Sequence, residues 1–160
     1  MSNKPFWSTG IEPLRKFRWR LHFGTGDNQV MMWWAKSVQQ PAVVYTTADY
    51  QLRNYKLKYI GVVDWEPIEI TLVDIEGEGV KYFGDLTTTR DGELTAPRSP
   101  KKTNFRIEKI DDMGNPIEEW TFKRPFIISA DFGELSYEDD GFVEIKLKIA
   151  YDSAKLEKIT

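Results

Sequence analysis

From Phe142 to Tyr151 the chain reads FVEIKLKIAY, with apolar and charged side chains taking turns along most of its length. Successive strand residues point to opposite faces. Val143, Ile145, Leu147, Ile149 and Tyr151 therefore share one face, and Glu144, Lys146 and Lys148 share the other. A helix would scatter both sets around its circumference, whereas a strand gives one buried and one solvated surface. The same period governs KFRWRLHFG, where Phe17, Trp19, Leu21 and Phe23 oppose Arg18, Arg20 and His22. In WEPIEITLVD, Ile68, Ile70 and Leu72 oppose Glu69 and Thr71, with Pro67 placed at the strand's start or at an edge because it cannot donate to a ladder.

Other segments follow the same logic. Gln29–Val38 is a nearly continuous apolar run, which predicts a strand covered on both faces. Val43–Ile60 has strand composition at both ends and a polar middle. It reads as a long hairpin with its tip near Ala48 and Asp49, and with Tyr55, Leu57 and Tyr59 on one face of the return arm. NFRIEKI and IEEWTFK flank DDMGNP, a second hairpin built on turn-forming residues. PFIISADF supplies a further strand. Only Gly77–Thr89 suits a helix, and its interior glycine limits it to one or two turns. An exposed loop spans 88–104, rich in proline, glycine and basic residues. The sum is a mostly-β sandwich or barrel of about seven strands with one short flanking helix, in a single domain over 1–160 preceded by an extension over 1–14.

Composition narrows the function classes. Aromatic residues make up 14% of the 160 residues, enough for a packed core, and the net charge of −3 disfavours a general binder of phosphate backbones. There is no cysteine, which removes disulfides and thiolate metal sites. No apolar run reaches the roughly 20 residues of a membrane helix, and no signal peptide is legible, so synthesis in the cytoplasm is expected.

Catalytic signatures do not assemble. His22, the sole histidine, lies between two arginines on the polar face of its strand, without a neighbouring nucleophile and acid. DFG at Asp131–Gly133 lacks every other kinase element, and GTGDNQ at Gly24–Gln29 follows a strand without opening a helix, so it reads as a hairpin loop. DDMGNPIEE lacks calcium-loop spacing. Glu138, Asp139 and Asp140 are the remaining catalytic resource, and a solvated acidic turn is the simpler reading. No cofactor or metal is expected. Trp19, Phe23 and Trp120 belong to the core. Trp33 and Trp34 are adjacent, so one of them must point away from it and becomes an interface candidate, with Met32 beside them.

Two stretches carry a resemblance. AKSVQQPAVVYTTADYQLRNYKLKYIGVVDWEPIEITLVD contains Pro41, the polar hairpin, and then Trp65, Ile68, Ile70 and Leu72 at strand spacing. RPFIISADFGELSYEDDGFVEIKLKIAYD contains Pro125, Leu135, Tyr137, Asp139 and the closing alternating strand to Tyr151. Together they resemble tail tube proteins of contractile-tailed bacteriophages of the T4 type, whose fold also serves in type VI secretion and bacteriocin tubes. The resemblance implies a non-enzymatic virion protein that forms hexameric rings, with edge strands joining into an inner barrel. The rings stack into a tube that delivers the genome.

The implied partners are other copies of the chain, a sheath, a baseplate tube-initiator, a tape-measure protein in the lumen and double-stranded DNA in passage. The ring-stacking hairpin would comprise Thr46, Thr47, Asp49, Tyr50, Leu52, Arg53, Tyr55, Leu57 and Tyr59. Subunit interfaces would involve Met32, Trp33, Trp34, Glu138, Asp139 and Asp140, and the lumen Glu69, Thr71, Glu144, Lys146 and Lys148. A baseplate initiator or tail terminator of the same fold is the alternative. A carbohydrate- or peptide-binding sandwich using Trp33 or Trp34 and the acidic loops is a more distant one.

Overall fold

The alternating segments pair into two sheets that face each other. The structure, a computed structural model, describes residues 13–25, 28–31, 34–76, 89–90, 93–94 and 103–159. Its strands in chain order are β1 (Trp19–Thr25), β2 (Asn28–Met31), β3 (Ala35–Val38), β4 (Ala42–Leu52), β5 (Tyr55–Glu66), β6 (Ile68–Val73) and β7 (Thr89–Arg90). β8 (Glu93–Leu94), β9 (Thr103–Ile110), β10 (Pro116–Lys123), β11 (Phe126–Asp131), β12 (Glu144–Ala150) and β13 (Ser153–Lys158) complete them. A five-stranded sheet runs β13-β10-β9-β1-β2 and a four-stranded sheet runs β11-β12-β6-β3.

Their inner faces supply one core. Leu21, Phe23, Phe105, Ile107 and Phe122 come from the first sheet, and Ile68, Ile70, Leu72, Ile145, Leu147 and Ile149 from the second. Tyr151 joins them, its ring in edge contact with Phe122 at 4.8 Å between centroids. Trp19, Trp34 and Trp120 pack against this cluster half-buried. Removing this much apolar surface from water is the main stabilising term, about 1.5–3 kcal/mol for each large side chain fully buried.

The chain passes between the sheets at a corner that the sequence does not announce. β10 leads through Arg124 and Pro125 into β11, and β12 leads through Tyr151 and Asp152 into β13, so two crossings lie side by side. Arg124, at φ 49°, donates from Nε to Asp152 Oδ2 at 2.5 Å and from Nη2 to Oδ1 at 3.1 Å. The hydrogen bond to Asp152 raises the guanidinium pKa, and the same bond holds the Asp152 carboxyl below the usual carboxylate range.

Several expectations need correction. The strands are more numerous than seven, with thirteen among the described residues. The run Gln29–Val38 is not one doubly covered strand: β2 belongs to the five-stranded sheet and β3 to the other, so its apolar length serves a change of sheet. The stretch after Tyr151 forms β13, which pairs with β10. The 88–104 stretch is not loop throughout, because β7 and β8 pair within it and β9 begins at Thr103. The described residues contain no helix. The expected helix over Gly77–Thr89 falls on 77–88, outside the described residues, and ends on Thr89 of β7. GTGDNQ does join two antiparallel strands, with Thr25 opposite Asn28. The DDMGNP turn closes β9 onto β10 as expected.

Candidate assembly surfaces

β4 and β5 pair only with each other, as a two-stranded sheet set apart from the sandwich. Its tip is Arg53–Asn54, where Arg53 takes φ 45°, and not Ala48–Asp49. Register explains the shift. Closing at Arg53–Asn54 sets Leu52 opposite Tyr55, Tyr50 opposite Leu57 and Ala48 opposite Tyr59. These six share one face of the outer arm. Thr47, Asp49, Gln51, Lys56, Lys58 and Ile60 share the other, where Lys56 Nζ reaches Asp49 Oδ2 at 3.1 Å. A turn at Ala48–Asp49 would destroy both the apolar face and the ion pair.

Nearer the root, β5 carries an extra residue, with Gly61 and Val62 both opposite Thr46, whose hydroxyl donates to the Val62 carbonyl at 3.0 Å. Gly61 sits against it: a Cβ there would lie 2.6 Å from Thr46 Oγ1 and 2.9 Å from its carbonyl oxygen. The root is tied to the core. Trp65 packs on Tyr151 at 5.9 Å, and the Tyr151 hydroxyl donates to the Glu66 carbonyl at 2.8 Å. Burial, and then the Glu66 charge, pushes the Tyr151 phenol up. Beyond this anchor Tyr45, Tyr50, Leu52, Tyr55, Leu57, Tyr59, Ile60 and Val62 are all exposed. An isolated two-stranded ribbon is marginal in water, and an apolar face this long is characteristic of a surface awaiting a partner.

A second exposed feature is the 132–143 connection between β11 and β12. Asp131 accepts from the Gly133 amide at 2.9 Å, and Gly133 turns the chain at φ 76°. Asp139 accepts from the Gly141 amide at 2.9 Å, and the Glu138 amide donates to the Ser136 hydroxyl at 3.2 Å. Glu138, Asp139 and Asp140 thus sit in a solvated turn, as expected. Apolar side chains flank these carboxylates: Leu135 is 83% exposed, Phe142 85%, and Tyr137 fully.

The third surface is the outer face of the four-stranded sheet. Register places Glu69, Thr71, Lys146 and Lys148 together there, with Lys148 opposite Glu69 and Lys146 opposite Thr71. Asp131 lies across from Lys146 on the other side, and Glu144 forms an ion pair with Lys36. Of the other interface candidates, Trp34 leans on the core, whereas Met32 and Trp33 lie outside the described residues.

His22 belongs to an ionic cluster on the outer face of the five-stranded sheet. Glu108, one of the two polar side chains in the buried set, is its hub, 3.0 Å from His22 Nε2 and 3.3 Å from Arg20 Nε. Arg106 bridges Glu108 and Glu119, at 3.7 and 3.1 Å. Neither Arg20 Nε nor His22 Nε2 makes an aligned hydrogen bond. The group spans the neighbouring strands β1, β9 and β10 and reads as a cross-strand charge ladder. Among the described residues no three His, Asp or Glu converge as a metal site.

Comparison with known proteins places this geometry. No protein-family model matches the chain, and no curated protein matches it in sequence. Solved structures do match in fold. A chain of the anti-feeding prophage baseplate superposes with a TM-score of 0.76 at 12% identity, over 92% of this chain and 97% of that one. The tube-terminating cap of the same particle gives 0.71 at 12% identity, over 93% of each. A chain of the sheath–tube complex of an extracellular contractile injection system in its extended state gives 0.70 at 14%, over 92% and 93%. At such identities what is shared is the arrangement of strands. The strand arrangement of this chain is therefore a fold shared with chains of contractile injection particles.

Proposed function

We propose that this protein is a structural tube subunit of a contractile tail or injection particle, without catalytic activity. It forms hexameric rings that stack into the inner tube, enclosed by a sheath and started from a baseplate. The observation that carries this reading is the β4–β5 hairpin, an exposed apolar ribbon that its own sandwich leaves uncovered. Stacked rings give each hairpin a neighbour to rest on. The four-stranded sheet leaves β11 and β3 as edges, which ring closure would pair.

Its outer face, with Glu69, Thr71, Glu144, Lys146 and Lys148, is the face assigned to the lumen, through which a tape-measure protein and then double-stranded DNA pass. The register supports this, because each lysine faces an acidic residue on a neighbouring strand: Lys148 faces Glu69, and Lys146 faces Asp131. Lysines balanced in this way hold phosphates weakly, since little counterion release is available.

A second reading, a baseplate tube-initiator or cap, is favoured by the likeness to the baseplate and cap chains. Negative-stain microscopy of the purified protein separates these. Tubes of constant width and variable length support the tube subunit, and single rings that never elongate support the initiator or cap. A monomer that binds sugars saturably would overturn both.

A further inference from the structure

We infer that the acidic connection between β11 and β12 is the seat on which a second copy of this chain rests its β4–β5 hairpin tip; this builds on the tube reading. The argument starts from topology. The hairpin returns into β6 at Ile68, opposite Ile149, so its root lies at that end of the four-stranded sheet. The β11–β12 connection enters β12 at Glu144, opposite Val73, at the far end of the same strands. The two features therefore occupy opposite ends of one sheet. β6 alone separates them by roughly 20 Å at about 3.3 Å per residue, and the hairpin arms reach roughly 35 Å by the same rise. Exposure along the hairpin shows that it does not fold back on its own body. A copy displaced along the strand direction brings its connection to the hairpin, a head-to-tail contact that repeats without closing.

Chemistry matches the two ends. Asp49 and Lys56 satisfy each other, which leaves Arg53 and Lys58 at the tip with no ion pair among the described residues. On the connection, Glu134, Glu138 and Asp140 likewise have none, and no Lys or Arg lies between Asp131 and Glu144. Each end also carries apolar surface: Tyr50, Leu52, Tyr55, Leu57 and Tyr59 on the hairpin, and Leu135, Tyr137 and Phe142 on the connection. Opposite charge would steer and orient the contact, and the aromatic and aliphatic groups would be its dry centre.

Charge reversal tests this. Three variants are compared with wild type by microscopy and by sedimentation across protein concentration: Arg53→Glu with Lys58→Glu, Glu138→Lys with Asp140→Lys, and all four together. The sites are exposed, so thermal melting of the dilute subunit should match wild type and confirm folding. Each pair alone is expected to raise the concentration needed for tubes at least tenfold while rings persist, and the quadruple variant to return within threefold of wild type. If tubes form but the quadruple variant is as impaired as the two pairs combined, or either pair is silent, the seat lies elsewhere and the tube reading stands. If wild type forms neither rings nor tubes, both are overturned.

Discussion

Replacing Leu57 by Asp separates the stability of the subunit from that of the assembly. Leu57 lies at the centre of the hairpin's apolar face, opposite Tyr50 and flanked along its strand by Tyr55 and Tyr59. The five large side chains of this face, Tyr50, Leu52, Tyr55, Leu57 and Tyr59, are 40 to 74% exposed in the isolated subunit. Complete burial of a large apolar side chain is worth about 1.5–3 kcal/mol, so covering what remains exposed contributes roughly 4–8 kcal/mol per copy. An aspartate in the middle of that contact removes about 1 kcal/mol of apolar burial. It also strands a carboxylate whose desolvation costs several kcal/mol more. A loss of about 3 kcal/mol or more weakens association at least 100-fold.

In the free subunit the same carboxylate stays hydrated, and the core lies beyond the hairpin root. Thermal melting at low concentration should therefore move little, while sedimentation velocity shows only subunits or single rings where wild type elongates. Wild-type assembly by the variant would refute the covered-face argument. So would a large fall in the melting temperature of the dilute subunit, which would show the hairpin to be integral to the monomer.

Three further outcomes are expected. Ile145→Asp should abolish folding, because it puts an unpaired charge at a 3% exposed position and costs several kcal/mol; Ile145→Val, read by the same denaturant melt, should cost only about 0.5–1.5 kcal/mol. Gly133→Ala should lower subunit stability by about 1 kcal/mol or more, since φ 76° disfavours a side chain and the added Cβ meets the Glu144 carbonyl oxygen at 2.7 Å; an unchanged melt would show that the loop relaxes freely. Asp111 accepts amides from Asn115 and Met113 at 2.8 and 2.9 Å, and the Asn115 amide above all holds its carboxyl below the usual range. A depressed pKa gives stability that is present above the unfolded value of about 3.9 and fades as pH falls through the folded one. Asp111→Ala should therefore melt below wild type at pH 7, and the gap should close in acid; a gap independent of pH would exclude that carboxylate as its source.

How much of this was legible in the sequence depends on the range of the forces involved. Alternation alone places Ile68, Ile70, Leu72, Ile145, Leu147 and Ile149 inward, because burial sorts every second residue wherever one face is covered. It also puts Tyr55, Leu57 and Tyr59 together. A polar middle over Val43–Ile60 suggests a tip near its centre at Ala48–Asp49, whereas cross-strand pairing sets the register so that the chain reverses at Arg53–Asn54, with Arg53 at φ 45°. The crossing inside Gln29–Val38 is invisible locally, since apolar residues suit either sheet. β13 left a trace: Ala154 and Leu156 alternate with Lys155 and Glu157. Its pairing with β10 comes from the Arg124–Asp152 corner, two residues 28 apart in sequence. Of the candidate surfaces, the hairpin and the acidic turn could be read from composition. That they stand at opposite ends of one sheet required the strand order.

Amide hydrogen exchange over residues 42–66, followed as protein concentration rises, tests most directly whether the hairpin is built to be covered by another copy. At dilution the β4–β5 amides should exchange far faster than those of β6, β9 and β12. They should become protected over the same concentration range in which rings and tubes appear. Protection of the hairpin that is identical at every concentration, whether high or low, would contradict the account.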